Sequence, residues 1–187
     1  MGNDIRVLVV YASRYGSTKD IAQFIAGRLE EHGLRVHVQS ASEVHELERH
    51  DAVVVGSAVY LGAWMKEAAE FVRRNAANLS KRPVWLFSSG PLGTATTDGQ
   101  GRDLRVVSRP KEFIEFEAAI KPQDHQVFFG ALDPAKLRGG HRLIGMLPAA
   151  KKLLIEGDFR DWRDIEAWAG GIAEALVPAA PAAAMIR

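Results

Sequence analysis

Residues 11–20 read Tyr11-Ala12-Ser13-Arg14-Tyr15-Gly16-Ser17-Thr18-Lys19-Asp20. An apolar run from Ile5 to Tyr11 precedes the small and hydroxyl-bearing residues. Behind them Ile21, Ala22, Ile25, Ala26 and Leu29 recur on one helical face. The succession is strand, tight turn, helix. Such a turn offers the hydroxyls of Ser13, Ser17 and Thr18, and the helix start adds unbonded amides and the positive end of its dipole. Gly16 lets the backbone bend and approach a ligand closely. The plain alternative is a hydroxyl-rich helix cap; spacing and context favour a phosphate site.

Two familiar phosphate loops are absent. Gly16 is followed by Ser17-Thr18-Lys19, which breaks the GxxxxGK[ST] pattern, and the first strand–helix turn carries no GxGxxG fingerprint. What remains is Ser13-x-x-Gly16-x-Thr18 directly after the first strand.

A chain of 187 residues can bury roughly 70% of its unfolded surface as one domain. No apolar run approaches the roughly 20 residues that span a bilayer, and the first residues lack a signal-peptide pattern, so a cytoplasmic location is the expectation. Cysteine is absent, which excludes disulfides, thiolate chemistry and cysteine-held iron–sulfur clusters. The six histidines show no zinc spacing, so no metal site is expected. If the protein moves electrons, an organic cofactor carries them. A net charge of +1 gives no reason to expect nucleic acid as a partner.

Strand and helix patterns alternate along the chain. Strands are expected at residues 5–11, 34–38, 52–56, 83–88 and 126–130, with helices at about 65–75, 110–120 and 162–176, and a short one within 40–50. Asp161 and Asp164 are candidate caps for the last helix. The reading is a doubly wound α/β fold, a five-stranded parallel sheet in a single domain over residues 1–177. An insertion occupies about 133–160, and 178–187 is expected to fray. Ligands on such sheets bind beyond the carboxyl ends of the strands. The turns after strands one, three and four, Ser13–Thr18, Gly56–Trp64 and Ser88–Gly93, should therefore meet over one crevice.

The Ser13-x-x-Gly16-x-Thr18 turn resembles the phosphate loop of flavodoxin-like proteins, and all three turns match that superfamily over roughly the first 130 residues. Within it the chain looks most like the menaquinone-dependent protoporphyrinogen oxidase type. The matching features are S-R-Y-G-S-T after strand one, G-S-A-V-Y-L-G-A-W after strand three, F-F-G-A-L at strand five and D-W-R-D-I-E-A-W at the last helix. The resemblance implies the strand order 2-1-3-4-5 and flavin mononucleotide (FMN) as cofactor. Ser13, Arg14, Tyr15, Gly16, Ser17 and Thr18 would surround its phosphate. Ala58, Val59, Tyr60, Leu61 and Gly62 would lie beside the ring, and Ser89, Gly90, Pro91, Leu92 and Gly93 would support its pyrimidine side or ribityl chain. Either Tyr60 or Trp64 could stack on the ring, or either could plug the core. The resemblance further implies an oxidoreductase passing electrons from a reduced small-molecule substrate to a quinone or similar acceptor; no catalytic side chain is identified. The alternative is a flavodoxin-type carrier between protein partners, against which the near-neutral charge counts.

Neither Gly56–Trp64 nor Ser88–Thr97 contains an acid, so reduced, anionic flavin should form more readily here than in acidic carriers. Arg102, Arg105 and Arg109 flank the fourth-strand turn and could meet a carboxylated substrate. The stretch 134–155 lacks acids and interleaves Lys136, Arg138, Arg142, Lys151 and Lys152 with leucine, isoleucine and methionine. It reads either as a segment packed on the sheet edge or as a contact for a quinone or an anionic, peripheral membrane surface.

Overall fold

Val7, Leu8, Val9 and Val10 are completely buried, so the first strand, β1 (Arg6–Ala12), has no face for water. The same holds for Val53, Val54 and Val55 of β3 (Ala52–Tyr60) and for β5 (Val84–Ser89). Strands of this kind are stable only between two layers of helix. The computed structural model, which describes residues 4–136 and 155–177, shows those layers. Val7, Val9, Val54, Trp85 and Phe87 pack under α1 (Ser17–Glu31) and the last helix, here α5 (Trp162–Leu176). Leu8, Val10, Val53, Val55 and Leu86 pack under α2 (Lys66–Leu79) and α4 (Phe113–Ile120). Alternate residues of each strand thus feed opposite cores.

With β2 (Arg35–Ser40) and β6 (Asp124–Phe128), the strands pair in parallel in the order β2-β1-β3-β5-β6. This is the expected 2-1-3-4-5 path, with labels shifted by a two-residue strand, β4 (Ala63–Trp64), that turns back antiparallel on β3. The third strand therefore reaches Tyr60 rather than ending at Gly56. Its small residues, which read as turn, continue the ladder, with Ser57 opposite Ser88 and Ala58 opposite Ser89. The last strand of the sheet begins two residues earlier than expected, and Phe129 and Gly130 lie beyond its end.

Between Ser40 and His50 there is a short 3-10 turn, Leu47–Arg49. A four-residue helix, α3 (Leu104–Val107), precedes α4. Asp161 caps α5 as expected, accepting from the amides of Arg163 and Asp164, whereas Asp164 does not cap and instead pairs with Arg105. Two short strands, β7 (Ala131–Leu132) and β8 (Gly157–Asp158), pair antiparallel and bring these two parts of the chain together. Residues 137–154, which make up most of the expected insertion, and the tail 178–187 lie outside the described residues.

One contact in the sheet is unusually restrictive. A Cβ on Gly56 would stand 1.9 Å from Cζ of Phe87, whose ring covers this glycine and meets Phe128 and Trp168. Gly56→Ala should therefore lower unfolding free energy by about 1–3 kcal/mol in urea titrations. Combining it with Phe87→Leu should cost less than the sum of the two changes; strict additivity would show that the ring is not the obstacle.

Candidate functional site

The first turn leaves the β1 strand and enters α1 through Gly16, whose φ of 97° only glycine adopts without strain. The Gly16 amide donates to Ser13 Oγ at 3.1 Å, so the serine closes the turn on itself. No side chain caps α1, and the Asp20 amide is bonded back to the Gly16 carbonyl at 2.9 Å. The amides ahead of Asp20 therefore lie at an open helix start. Thr18 is buried. Ser17 has a partner that the sequence offered no means of finding: its Oγ accepts from the Ala131 amide at 3.0 Å. That bond fixes the oxygen and leaves its one hydroxyl proton to donate.

The second turn is the β3–β4 hairpin. Leu61 and Gly62 hold φ of 51° and 72°, a two-residue turn of the primed kind that suits tightly twisted strands. Leucine is uncommon in this region, and the Leu61 side chain is fully exposed. The Arg14 guanidinium lies over the Tyr60 ring, 5.2 Å from its centroid, which joins this turn to the first. Burial pushes the Tyr60 phenol up, Tyr15 adds to that, and Arg14 opposes it. Tyr60 remains 38% exposed, so its ring is accessible. Trp64 is not: it is buried against Phe116 at 5.3 Å and its indole N–H donates to Ser88 Oγ at 2.8 Å. Of the two aromatic candidates, Trp64 is the core plug.

The third turn follows β5. Ser89 is buried, the Gly90 amide donates to the Phe128 carbonyl at 3.1 Å, and the Gly130 amide donates to the Pro91 carbonyl at 2.9 Å. A Cβ on Gly90 would lie 3.4 Å from Val59 Cβ, and one on Gly130 at 3.4 Å from Ser89 Oγ and 3.5 Å from Leu92 Cδ2. Gly93 takes φ of 103°. The three turns are thus in mutual contact: Arg14 with Tyr60, Val59 with Gly90, and Ser17 with the segment that also bonds Pro91.

Several supporting residues are distant in sequence and carry no motif. Ser57 Oγ accepts from the Met65 amide and donates to the Ala58 carbonyl, both at 2.9 Å, tying the hairpin base. Glu112 Oε2 accepts from the Trp64 amide at 3.2 Å. The turns themselves lack acids, yet the fold brings this buried carboxylate to the hairpin. Ser88 Oγ lies 2.9 Å from His125 Nε2. That oxygen accepts from Trp64 and keeps a second lone pair besides its proton, so either it or His125 Nε2 is the donor of this bond. Phe113 stacks on the imidazole at 4.7 Å, and burial, assisted by Arg109 and opposed by Asp124, pushes its pKa down to about 4.

The three candidate arginines do not converge. Arg102 pairs with Asp98 and Arg109 lies over Phe113, while Arg105 pairs with Asp164 and lines an open cleft of about 710 Å³ with Gly93, Phe129, Arg160, Trp162 and Arg163.

A parallel sheet of this order, with three glycine-bearing turns gathered at its carboxyl edge, defines the flavodoxin-like class of doubly wound proteins. The chain belongs to the Flavodoxin domain family, whose model matches residues 8–150. Protoporphyrinogen IX dehydrogenase [quinone] of Escherichia coli strain K12 is 29% identical over 142 residues, covering 75% of this chain and 76% of that protein. Among solved structures, a flavodoxin from the domain Archaea superposes with a TM-score of 0.58 at 18% identity, over 92% of this chain and 99% of the other. Oxidised flavodoxin 2 from Bacillus cereus superposes with a TM-score of 0.56 at 20% identity, over 91% and 98%. These last two likenesses concern the fold.

The buried imidazole makes stability depend on pH. Unfolded, His125 takes a proton near pH 6.5; folded, it resists until about pH 4. Its contribution is therefore complete above pH 6.5 and declines as pH falls toward 4, by up to about 3 kcal/mol. His50, also lowered by burial, acts in the same direction. Unfolding titrations from pH 7 to pH 4 should thus show a shallower decline in His125→Gln than in the wild type. Equal declines would mean that another group sets the dependence.

Proposed function

We propose that the three turns hold FMN, and that the protein passes electrons from a reduced small-molecule donor to a quinone or similar acceptor. The observation that carries this reading is the uncapped start of α1 behind Gly16, within reach of Tyr60 through Arg14. FMN supplies redox chemistry that the side chains of a cysteine-free chain lack. The amides of the first turn, with Ser13, Ser17 and Thr18, bind the phosphate, and Arg14 and Tyr15 wall it. Ala58, Val59, Tyr60, Leu61 and Gly62 lie along the ring, with Tyr60 as its aromatic cover. Ser89, Gly90, Pro91, Leu92 and Gly93 face the pyrimidine edge and ribityl chain, and their tight packing on Val59 excludes water.

The Escherichia coli relative supports protoporphyrinogen as donor and a quinone as acceptor. The basic, apolar composition of 134–155 supports contact with a quinone or with the cytoplasmic surface of an anionic membrane. Among the described residues no helix is long and apolar enough to cross a membrane. A carrier role is the second reading. In its favour, the three turns hold no titratable side chains besides Arg14, Tyr15 and Tyr60, so no carboxylate or imidazole is built into them.

Purified protein should be yellow, or should quench the fluorescence of added FMN on titration. Gly16→Val, which strains the turn, should weaken FMN binding about tenfold or more while leaving far-UV circular dichroism unchanged. Colourless protein that ignores FMN would sink the proposal. Steady-state turnover with protoporphyrinogen and menaquinone then separates the two roles: its absence in FMN-loaded protein favours the carrier.

A further inference from the structure

The first turn of α1 is held from outside by a segment far along the chain. β7 starts at Ala131, whose amide donates to Ser17 Oγ, and it pairs with β8, Ala131 opposite Asp158. Two residues beyond β8 stands Arg160. Its guanidinium donates to Asp20 in the first turn of α1 at 3.0 Å and to Asp158 at 2.8 and 2.5 Å. It lies over the Trp162 ring at 4.5 Å, and that ring meets Phe24 of α1 at 4.9 Å. The adjacent Phe159 amide donates to the Gly130 carbonyl at 3.1 Å. The Arg160 side chain is only 11% exposed, although the carboxylates it joins are about half exposed.

This geometry has two consequences at the helix start. Asp20 suits the dipole of α1, but its charge opposes any dianion bound at the same end; Arg160 offsets that charge. Arg160 also straps the β7–β8 pair to α1, which keeps the Ala131 amide on Ser17 and so sets which way the Ser17 hydroxyl proton points. We propose that Arg160 is a positioning residue for the phosphate of the flavin, acting through Asp20 and Ser17 rather than by touching the ligand. The inference rests on the FMN reading given above and goes beyond it. The part of the ligand it concerns is the phosphomonoester alone, since the ring turns at Tyr60 and Gly90 make none of these contacts.

Riboflavin, which has the same ring and no phosphate, is the natural control. Fluorescence-quench titrations should be run with FMN and with riboflavin on the full chain. Arg160→Met should weaken FMN binding about tenfold and leave riboflavin binding unchanged, so that the ratio of the two affinities falls. Adding Asp20→Asn to Arg160→Met should recover part of the ratio, because the uncompensated charge is then gone. Ser17→Ala, which keeps the Arg160 strap, should lower the same ratio, and thermal melts of the ligand-free variants show which of them fold. An unchanged ratio in folded Arg160→Met, or an equal loss for both flavins, overturns the inference and leaves FMN binding intact. Wild-type protein that binds neither flavin overturns both.

Discussion

Three adjacent strands with no polar face dictate most of this molecule's architecture. β1, β3 and β5 can be stable only if helices cover both sides of the sheet, which requires crossover connections that begin at the carboxyl edge of each strand. Every such connection must turn there, and the turns after neighbouring strands necessarily meet. A helix that begins at that edge presents open amides toward the meeting point. The site is therefore a by-product of covering the sheet, and its chemistry is decided by which residues line the turns. The Gly56–Phe87 contact shows how tightly this is drawn: a single methyl group at the middle of β3 has no room beneath the ring that joins the sheet to α5.

The turns would be loose without their supports. The β3–β4 hairpin stands on buried polar bonds from Ser57, Glu112 and the line from Trp64 through Ser88 to His125. In a low-dielectric interior such bonds are strong when satisfied and costly when broken, so they specify one hairpin geometry rather than several. The unpartnered Nδ1 of His125 is the one loose end in that line. The first turn is supported differently, by charge. Arg160 brings together two carboxylates and the side of α1, next to the β7–β8 pair.

Similarity to known proteins and the physical reading meet at different depths. Family membership and sheet order agree fully with the alternating strand and helix pattern. The solved flavodoxins share the fold at low identity, whereas the dehydrogenase of Escherichia coli aligns over three quarters of both chains.

Much of the architecture is legible in the sequence, because periodicity and glycine placement are local signals. The runs at Val7–Val10 and Val53–Val55 read as strands, and Ser13 to Thr18 as a tight entry into a helix. Strand ends were less legible: Ser57 to Tyr60 read as turn because small residues look alike in a loop and in a ladder, and only pairing with Ser88 and Ser89 separates the two. Whether Trp64 is a core residue was likewise open, since either aromatic satisfies the same pattern; its burial against Phe116 shows that it is. Local order along the chain thus determined the elements, their succession and the composition of the turns. Tertiary structure alone decided that Ser17 leans on Ala131, that Glu112 reaches Trp64 and that Arg160 joins Asp20, because each of those bonds links residues whose separation leaves no periodic or spacing signal to read.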